Sequence, residues 1–82
     1  MKNILITGAN RGLGLGLVKK YLENNEKVFC TTRNISKSKE LKLLNEKHTN
    51  SLEICELDLL DKDSPNILSN FLENEPIDLF IN

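Results

Sequence analysis

The chain has 82 residues, of which 39% are hydrophobic and 28% are charged, and its formal net charge is −1. A chain of this length makes one small domain at most, which buries only about 60% of the surface that the unfolded chain exposes. A charge balance so close to zero provides no extended field for nucleic acid or an anionic membrane, and we expect neither as a partner.

The apolar stretches are short throughout. None approaches the ~20 residues that a membrane-spanning helix needs, and the first residues lack the apolar region of a secretory signal, so we expect a cytoplasmic protein. Cys30 and Cys55 lie in apolar segments without the spacing of a metal site. We expect both to be reduced residues of the core, and we expect no bound metal.

The first half of the chain predicts two strands and two helices. Residues 2–7 form an apolar strand, and residues 13 to about 24 form a helix with apolar residues at helical spacing. Residues 27–32 are rich in β-favouring types and predict the second strand. Residues 36–46 form a polar helix with an inner stripe of leucines that includes Leu41.

The second half repeats this alternation. Residues 52–57 predict the third strand and residues 77–81 the fourth. Between them a helix is predicted over residues 64–73, with Ser64 as its N-cap and Pro65 in the first helical position.

The order βαβαβαβ with continuous apolar strands is typical of a parallel sheet covered by helices, because parallel strands need crossover connections. With right-handed crossovers it predicts the first half of a Rossmann-type doubly wound sheet, strand order 3-2-1-4, as one partial domain over residues 1–82. The fourth strand is then an apolar edge, so we expect this segment to self-associate on its own. For the full-length protein we expect a homo-oligomer.

The junction between the first strand and the first helix carries the most specific motif. Thr7 ends the strand, and glycines follow at positions 8, 12 and 14. Gly8 allows a sharp turn, Gly12 a close approach of the backbone to a pyrophosphate, and Gly14 close packing of the helix on the sheet. Amide groups between residues 8 and 14 and the positive end of the helix then bind phosphate, which predicts a dinucleotide site.

The glycine turn has two other interpretations. A Walker-type ATP loop is excluded, because no Gly-Lys-Ser or Gly-Lys-Thr follows the turn. A glycine-rich turn without any ligand stays open as the other interpretation.

The segment Thr7-Gly8-Ala9-Asn10-Arg11-Gly12-Leu13-Gly14 resembles the T-G-x-x-x-G-x-G motif of the short-chain dehydrogenase/reductase family. The resemblance extends to Leu57-Asp58-Leu59 and to residues 77–82, which in the family run on into an N-N-A-G motif. Residues 30–34 also resemble C-factor-like and sniffer-type carbonyl reductases. The motif and the resemblance together imply these cofactor-binding residues: Gly8, Asn10, Arg11, Gly12, Leu13, Gly14, Arg33, Asn34, Asp58, Leu59 and Asn82.

The end of the second strand distinguishes NAD from NADP. An acidic residue there would bind the ribose 2′-hydroxyl and repel a 2′-phosphate. This chain has Thr31, Thr32 and Arg33, with no carboxylate before Glu40. Arg33 can bind a phosphate with its planar guanidinium, and Arg11 can approach from the glycine turn, so we expect NADP, with NAD as the alternative. The competing interpretation is that both arginines are solvated surface residues.

The resemblance assigns three further residues to the adenosine half of the cofactor. It implies that Asp58 accepts a hydrogen bond from the adenine amino group, that the Leu59 amide contacts a ring nitrogen and that Asn82 lies beside the ribose. The alternatives are that Asp58 is a loop or helix-capping residue and that Asn82 is frayed.

The resemblance implies hydride transfer between a carbonyl and an alcohol by a serine, an asparagine and a tyrosine that a lysine follows four residues later. Tyr21 is followed at that spacing by Asn25 and lies on an apolar stripe, so no residue is assigned a catalytic role. We expect the NADP-binding part of a carbonyl reductase, inactive by itself. The alternative is a stand-alone, non-catalytic dinucleotide-binding module.

Overall fold

The computed structural model describes residues 1–10 and 12–82. The strands in this part of the chain are β1 (Asn3–Ile6), β2 (Lys27–Thr32), β3 (Leu52–Glu56) and β4 (Leu79–Ile81). The helices are α1 (Gly12–Glu23), α2 (Lys39–Lys47) and α3 (Ser64–Leu72), and a short 3-10 helix, Ile35–Lys37, precedes α2. None of the helices within these residues is long and apolar enough to cross a membrane.

The four strands form one parallel sheet in the order β3-β2-β1-β4. Ile4 of β1 lies opposite Val28 of β2 on one side and opposite Leu79 of β4 on the other. β3 joins the far side of β2, with Leu52 opposite Val28. The predicted α/β class and strand order are therefore confirmed, and the sheet has the topology of half a doubly wound fold.

One face of the sheet packs against α1 and α2. Because strand side chains alternate between two faces, Ile4 and Ile6 of β1 share this face with Val28 and Cys30 of β2, and each is at most 1% exposed. The helices contribute the buried residues Leu15, Val18, Leu22 and Leu41 to the same cluster. This side holds the main core of the molecule.

The opposite face packs against α3. Phe29 of β2 is buried there, and Phe71 of α3 meets it edge to face, with ring centroids 5.8 Å apart and an interplanar angle of 83°. Such an arrangement directs the positive ring edge at the negative ring face. Phe80 of β4, which pairs with Leu5, is 57% exposed, so this face is covered less completely at its β4 edge.

The predicted helix over residues 36–46 is wrong in its first turn. The structure has a 3-10 helix ending at Lys37, and α2 begins only at Lys39. Between them Ser38 has φ −104° and ψ 64°, which no α-helix allows. Its hydroxyl donates to the carbonyl oxygen of Asn34 at 2.8 Å, a contact that periodicity does not reveal.

The predicted N-cap of the third helix is also wrong by one residue. Ser64 is the first residue of α3, and Asp63 occupies the N-cap position without a side-chain hydrogen bond to the helix. Ser64 is 8% exposed, and its hydroxyl contacts the carbonyl oxygen of Leu59 at 3.5 Å. The hydroxyl is turned towards the preceding loop and is therefore not available to cap the helix.

The remaining element ends lie within two residues of those predicted. The end of α1 shows why: Asn25 has φ +63°, its N–H donates to the carbonyl oxygen of Leu22, and the N–H of Glu26 donates to that of Tyr21, both at 3.0 Å. This is a Schellman motif, and asparagine is among the residues that most readily adopt the left-handed conformation it needs.

The two cysteines differ in their surroundings. Cys30 is fully buried in the core, as predicted, but Cys55 is only half-buried, so its assignment to the core is wrong. Cys55 lies on β3, an edge strand of the sheet, opposite Thr31 of β2. An edge strand has a neighbouring strand on one side only, so fewer residues cover Cys55. Both thiols are free.

Burial raises the pKa of the Cys30 thiol from its ordinary value of 9.0 to about 12, with a smaller contribution from the charge of Cys55. Burial, together with the charge of Glu56, also raises the pKa of the Cys55 thiol. Because the thiolate is the nucleophile that attacks thiol reagents, we expect the more accessible Cys55 to be labelled at pH 8 in a phase much more rapid than that of Cys30, which should react only when the protein unfolds. The unfolded chain loses the Cys30 proton first, so the free energy of unfolding should fall as the pH rises from about 9 to about 12.

The measurement is the time course of labelling with a chromogenic disulfide. The Cys55→Ala variant should lose the rapid phase, and the Cys30→Ala variant should keep it. Rapid labelling of Cys30 in the folded Cys55→Ala variant would contradict its burial.

Candidate functional site

The carboxyl ends of β1, β2 and β3 meet at one edge of the sheet, where the turn into α1 also lies. In open α/β sheets this edge is where ligands bind. A cavity of about 120 Å³ with mainly apolar walls opens there. It is lined by Gly8, Thr31, Thr32, Arg33, Leu57 and Leu59. The structure thus brings Gly8, Arg33 and Leu59 together, three of the residues that the sequence predicts for the cofactor.

The turn after β1 has the backbone conformation that its glycines predict. Gly8 has φ +64° and Gly12 has φ +61°, in the left-handed region that side chains disfavour. A Cβ atom placed on either residue would meet nothing within 4 Å. Open space therefore borders the turn at both positions.

The first amide groups of the turn are held by the neighbouring strands. The Thr7 N–H donates to the carbonyl oxygen of Ile81 at 3.0 Å and the Ala9 N–H to that of Thr31 at 2.9 Å. The Gly8 N–H donates to the Thr31 hydroxyl at 3.3 Å. The expectation of available amides from residue 8 onwards is therefore wrong for Gly8 and Ala9. The amides in the first turn of α1, which begins at Gly12, are available to an anion, because such groups have no acceptor within any helix.

Gly14 lies where α1 touches the turn. A Cβ atom on Gly14 would lie 2.8 Å from the carbonyl oxygen of Gly8 and 3.2 Å from Cα of Ala9. The sequence predicts close packing of the helix on the sheet at Gly14, and the structure has a close contact there whose partner is the backbone of the turn. The contact fixes the start of α1 against the carboxyl end of β1.

The last two residues of β2 are uncharged and buried, and Arg33 is the first charged residue after them. Thr31 and Thr32 are 2% and 1% exposed, whereas Arg33 is exposed at the rim of the cavity. Glu40, the first carboxylate that follows, forms an ion pair with Lys19 at 3.3 Å. Arg33 thus provides a positive charge at the cavity with no acid adjacent to it in sequence.

Asn34 and Asp58 have side chains engaged in their own loops. Oδ1 of Asn34 accepts a hydrogen bond from the Ser36 hydroxyl at 2.6 Å. Oδ1 of Asp58 accepts one from the Leu60 N–H at 3.0 Å, and the Asp58 side chain is exposed. In the sequence, Asp58 lies between Leu57 and Leu59, which both line the cavity.

The remaining predicted residues border the turn from other directions. Oδ1 of Asn82 accepts a hydrogen bond from the Thr7 hydroxyl at 2.6 Å, so Asn82 is anchored beside β1, on the side away from β2. Leu13, in the first turn of α1, is 82% exposed, and Asn10 is half-buried. Arg11 lies outside the described residues.

The sequence interpretation missed Thr7, Thr31 and Leu57 as members of the site. Thr31 holds the glycine turn through both its hydroxyl and its carbonyl oxygen, and Leu57 forms part of the cavity wall. The sequence contains a signal for these residues. Each lies at the carboxyl end of a predicted parallel strand, and those ends share the edge of the sheet where ligands bind.

Larger cavities, of about 390, 370 and 240 Å³, lie elsewhere among the described residues. The first is near Lys2 and Asp78, which precede β1 and β4, at the opposite end of the sheet from the glycine turn. The second lies between α2 and β3. Within residues 1–10 and 12–82, no group of three or more His, Cys, Asp or Glu side chains is placed to hold a metal ion.

Comparison with known proteins places this site in a family. The sequence model of the short chain dehydrogenases matches residues 2–82, and the chain therefore belongs to the short chain dehydrogenase family, which is a family of oxidoreductases. A curated relative, the short chain dehydrogenase gsfK of Penicillium aethiopicum, is 42% identical over 62 residues, which are 74% of this chain and 25% of that protein.

Solved structures agree in fold over the whole chain. A carbonyl reductase from Pseudomonas aeruginosa PAO1 in complex with NADP is 35% identical, with a TM-score of 0.93, covering 100% of this chain and 38% of that one. A short-chain dehydrogenase/reductase from Burkholderia multivorans with bound NADP is 30% identical, with a TM-score of 0.86, covering 99% and 36%. The chain thus spans between a quarter and two fifths of the length of these relatives.

The contact at Gly14 predicts a position-specific effect on stability. Gly14→Ala should lower the free energy of unfolding by about 1–3 kcal/mol, because the added methyl group overlaps a backbone carbonyl that cannot rotate away. Gly16→Ala, two residues along the same helix, adds its methyl group to open space and should raise it by up to about 1 kcal/mol. Urea unfolding measures both, and equal effects would contradict the close packing.

Proposed function

We propose that residues 1–82 form the NADP-binding part of a reductase that transfers hydride between the cofactor and a carbonyl or alcohol group. The observation that carries the proposal is the cavity at the carboxyl edge of the sheet, where the glycine turn, an apolar wall and Arg33 lie together. Two relatives that match nearly the whole chain have NADP bound, which supports the same ligand here.

The turn suits a diphosphate in shape and charge. Open space lies beside Gly8 and Gly12, so the backbone can be approached closely at both. The first-turn amides of α1 point towards this region and carry the positive end of the helix dipole, an interaction worth up to ~2 kcal/mol with an anion when partly buried. Since the net charge of the chain is only −1, the attraction for the anion is local.

The cavity suits the adenine ring. Leu57 and Leu59 supply apolar walls, which favour a flat aromatic ring over water. We propose that the Asp58 carboxylate accepts a hydrogen bond from the adenine amino group and that the Leu59 N–H donates to a ring nitrogen. Asn82, anchored by Thr7, lies on the other side of β1, where the ribose is proposed to lie.

The preference for NADP is proposed to come from Arg33 together with Arg11. The guanidinium of Arg33 is exposed beside the cavity and offers a planar pair of donors to a phosphate. Buried threonines occupy the positions at the end of β2 where a carboxylate would repel that phosphate.

The cofactor supplies the hydride when it is bound, and this part of the chain holds and orients it. Tyr21 is half-buried against the core and Asn25 follows it at the spacing where a catalytic lysine would stand, so it takes no part in proton transfer. The residues that act on the substrate are therefore proposed to lie outside residues 1–82.

The Arg33→Asp variant tests the cofactor preference. Loss of one charge-assisted contact of ~1.5 kcal/mol should weaken NADP binding by at least about tenfold, while NAD binding is unchanged or stronger. Calorimetric titration of both cofactors into the natural protein that contains residues 1–82 measures the two affinities. Lys47→Asp, the same charge change at the far end of α2, is the control. Unchanged NADP affinity in Arg33→Asp would contradict the proposal.

The 82-residue chain produced alone should not oxidise NADPH with any of a panel of carbonyl compounds. It should also self-associate, because β4 lies at the edge of the sheet with Leu79 and Phe80 40% and 57% exposed. Phe80→Glu should reduce the associated fraction in light scattering, whereas Leu43→Glu on α2 should not. Substrate-dependent NADPH oxidation by the isolated chain would contradict the assignment of catalysis to other residues.

A further inference from the structure

The segment that carries Arg33 joins β2 to α2 and is anchored from inside. Arg33 itself is exposed, whereas Thr32 before it is 1% exposed and Ser38, at the start of α2, is 2% exposed. A long arginine side chain has many rotamers, so how well it can bind a ligand depends on how firmly the backbone that carries it is held.

Three hydrogen bonds connect Thr32, Asn34 and Ser38. The Ser38 hydroxyl donates to the carbonyl oxygen of Asn34 at 2.8 Å. Since a serine has only one hydroxyl proton, the 2.9 Å contact between the Thr32 and Ser38 hydroxyls must have Thr32 as the donor. The Asn34 N–H in turn donates to the Thr32 hydroxyl at 3.4 Å. The three bonds form a closed ring that engages both backbone polar groups of Asn34.

A fourth contact holds the next residue from the neighbouring strand. Oε1 of Glu56 accepts a hydrogen bond from the Ile35 N–H at 2.9 Å, and Glu56 lies opposite Thr32 in the sheet register. The backbone directly after Arg33 is therefore fixed to the ends of both β2 and β3. The hydrogen bonds of Ile35 and Ser38 together explain why the helix predicted over residues 36–46 is interrupted at Ser38.

We propose that the hydrogen-bond ring of Thr32, Asn34 and Ser38 positions Arg33 for the 2′-phosphate and thereby contributes to the preference for NADP over NAD. The proposal rests on the proposed function of Arg33. Thr32 and Ser38 are positioning residues, because their buried hydroxyls act through the backbone of Asn34. Without the ring, Arg33 samples more positions, and only the ligand that carries the extra phosphate loses affinity.

The test removes one hydroxyl at a time from the natural protein that contains residues 1–82. Ser38→Ala, at a residue that does not line the cavity, should weaken NADP binding by about five- to tenfold, the effect of one hydrogen bond, and NAD binding by less than about twofold. Thr32→Val, at a residue that lines the cavity, should weaken NADP binding more than NAD binding, and Thr32→Ser, which keeps the hydroxyl, should weaken NADP binding less than Thr32→Val does. Cys30→Ala, a truncation of another buried β2 residue outside the ring, controls for a general loss of stability.

The outcomes separate this proposal from the proposed function. Loss of NADP affinity in Arg33→Asp, with equal weakening of both cofactors or of neither in the hydroxyl variants, overturns the ring and leaves the function standing. Unchanged NADP affinity in Arg33→Asp overturns both. If the hydroxyl variants do not fold, hydrogen exchange of the Asn34 amide in the unmodified protein decides: it should slow more with NADP bound than with NAD, and equal slowing overturns the ring.

Discussion

The close contact between Gly14 and the backbone of Gly8 is the constraint on which the site depends. At 2.8 Å from the Gly8 carbonyl oxygen to an imagined Cβ atom, only a glycine lets α1 begin this near to the end of β1. The contact sets where the first-turn amides stand relative to the carboxyl edge of the sheet. The cavity beside Arg33 and the open space at Gly8 and Gly12 are useful to one ligand because this spacing is fixed.

The turn is held from both sides before any ligand arrives. On the β4 side, the Thr7 N–H donates a hydrogen bond to the carbonyl oxygen of Ile81. On the β2 side, Thr31 accepts hydrogen bonds from the Gly8 N–H at its hydroxyl and from the Ala9 N–H at its carbonyl oxygen. Using the amides of Thr7, Gly8 and Ala9 for the fold costs the site three potential donors, but it leaves none of these three unpaired, and a buried unpaired amide would cost about 1–3 kcal/mol. In the proposed function, the anion is bound by the helix terminus, whose amides have no acceptor within the helix.

Sequence reasoning succeeded where a feature depends on local chemistry. Apolar strands, the glycine spacing and Asn25 each act within a few residues, and the topology and the end of α1 follow from them. It failed where the deciding partner is distant or buried. The Ser64 hydroxyl contacts the preceding loop and does not cap its helix, and Cys55 is only half-buried because it lies on an edge strand. The Ser38 break depends on a hydroxyl of β2, which no periodicity of α2 encodes.

The proposed preference for NADP has two separate sources at the end of β2. Replacing a carboxylate by buried threonines removes a repulsion and adds no attraction, so by itself it leaves NAD and NADP nearly equal. In the proposed function, the attraction comes from the exposed Arg33 at the rim of the cavity. Glu56 is an acid that contacts this backbone, and its Oε1 accepts a hydrogen bond from the Ile35 amide at 2.9 Å. A carboxylate held there serves the fold by fixing the loop, and the amide dipole offsets part of the charge that a phosphate would otherwise meet.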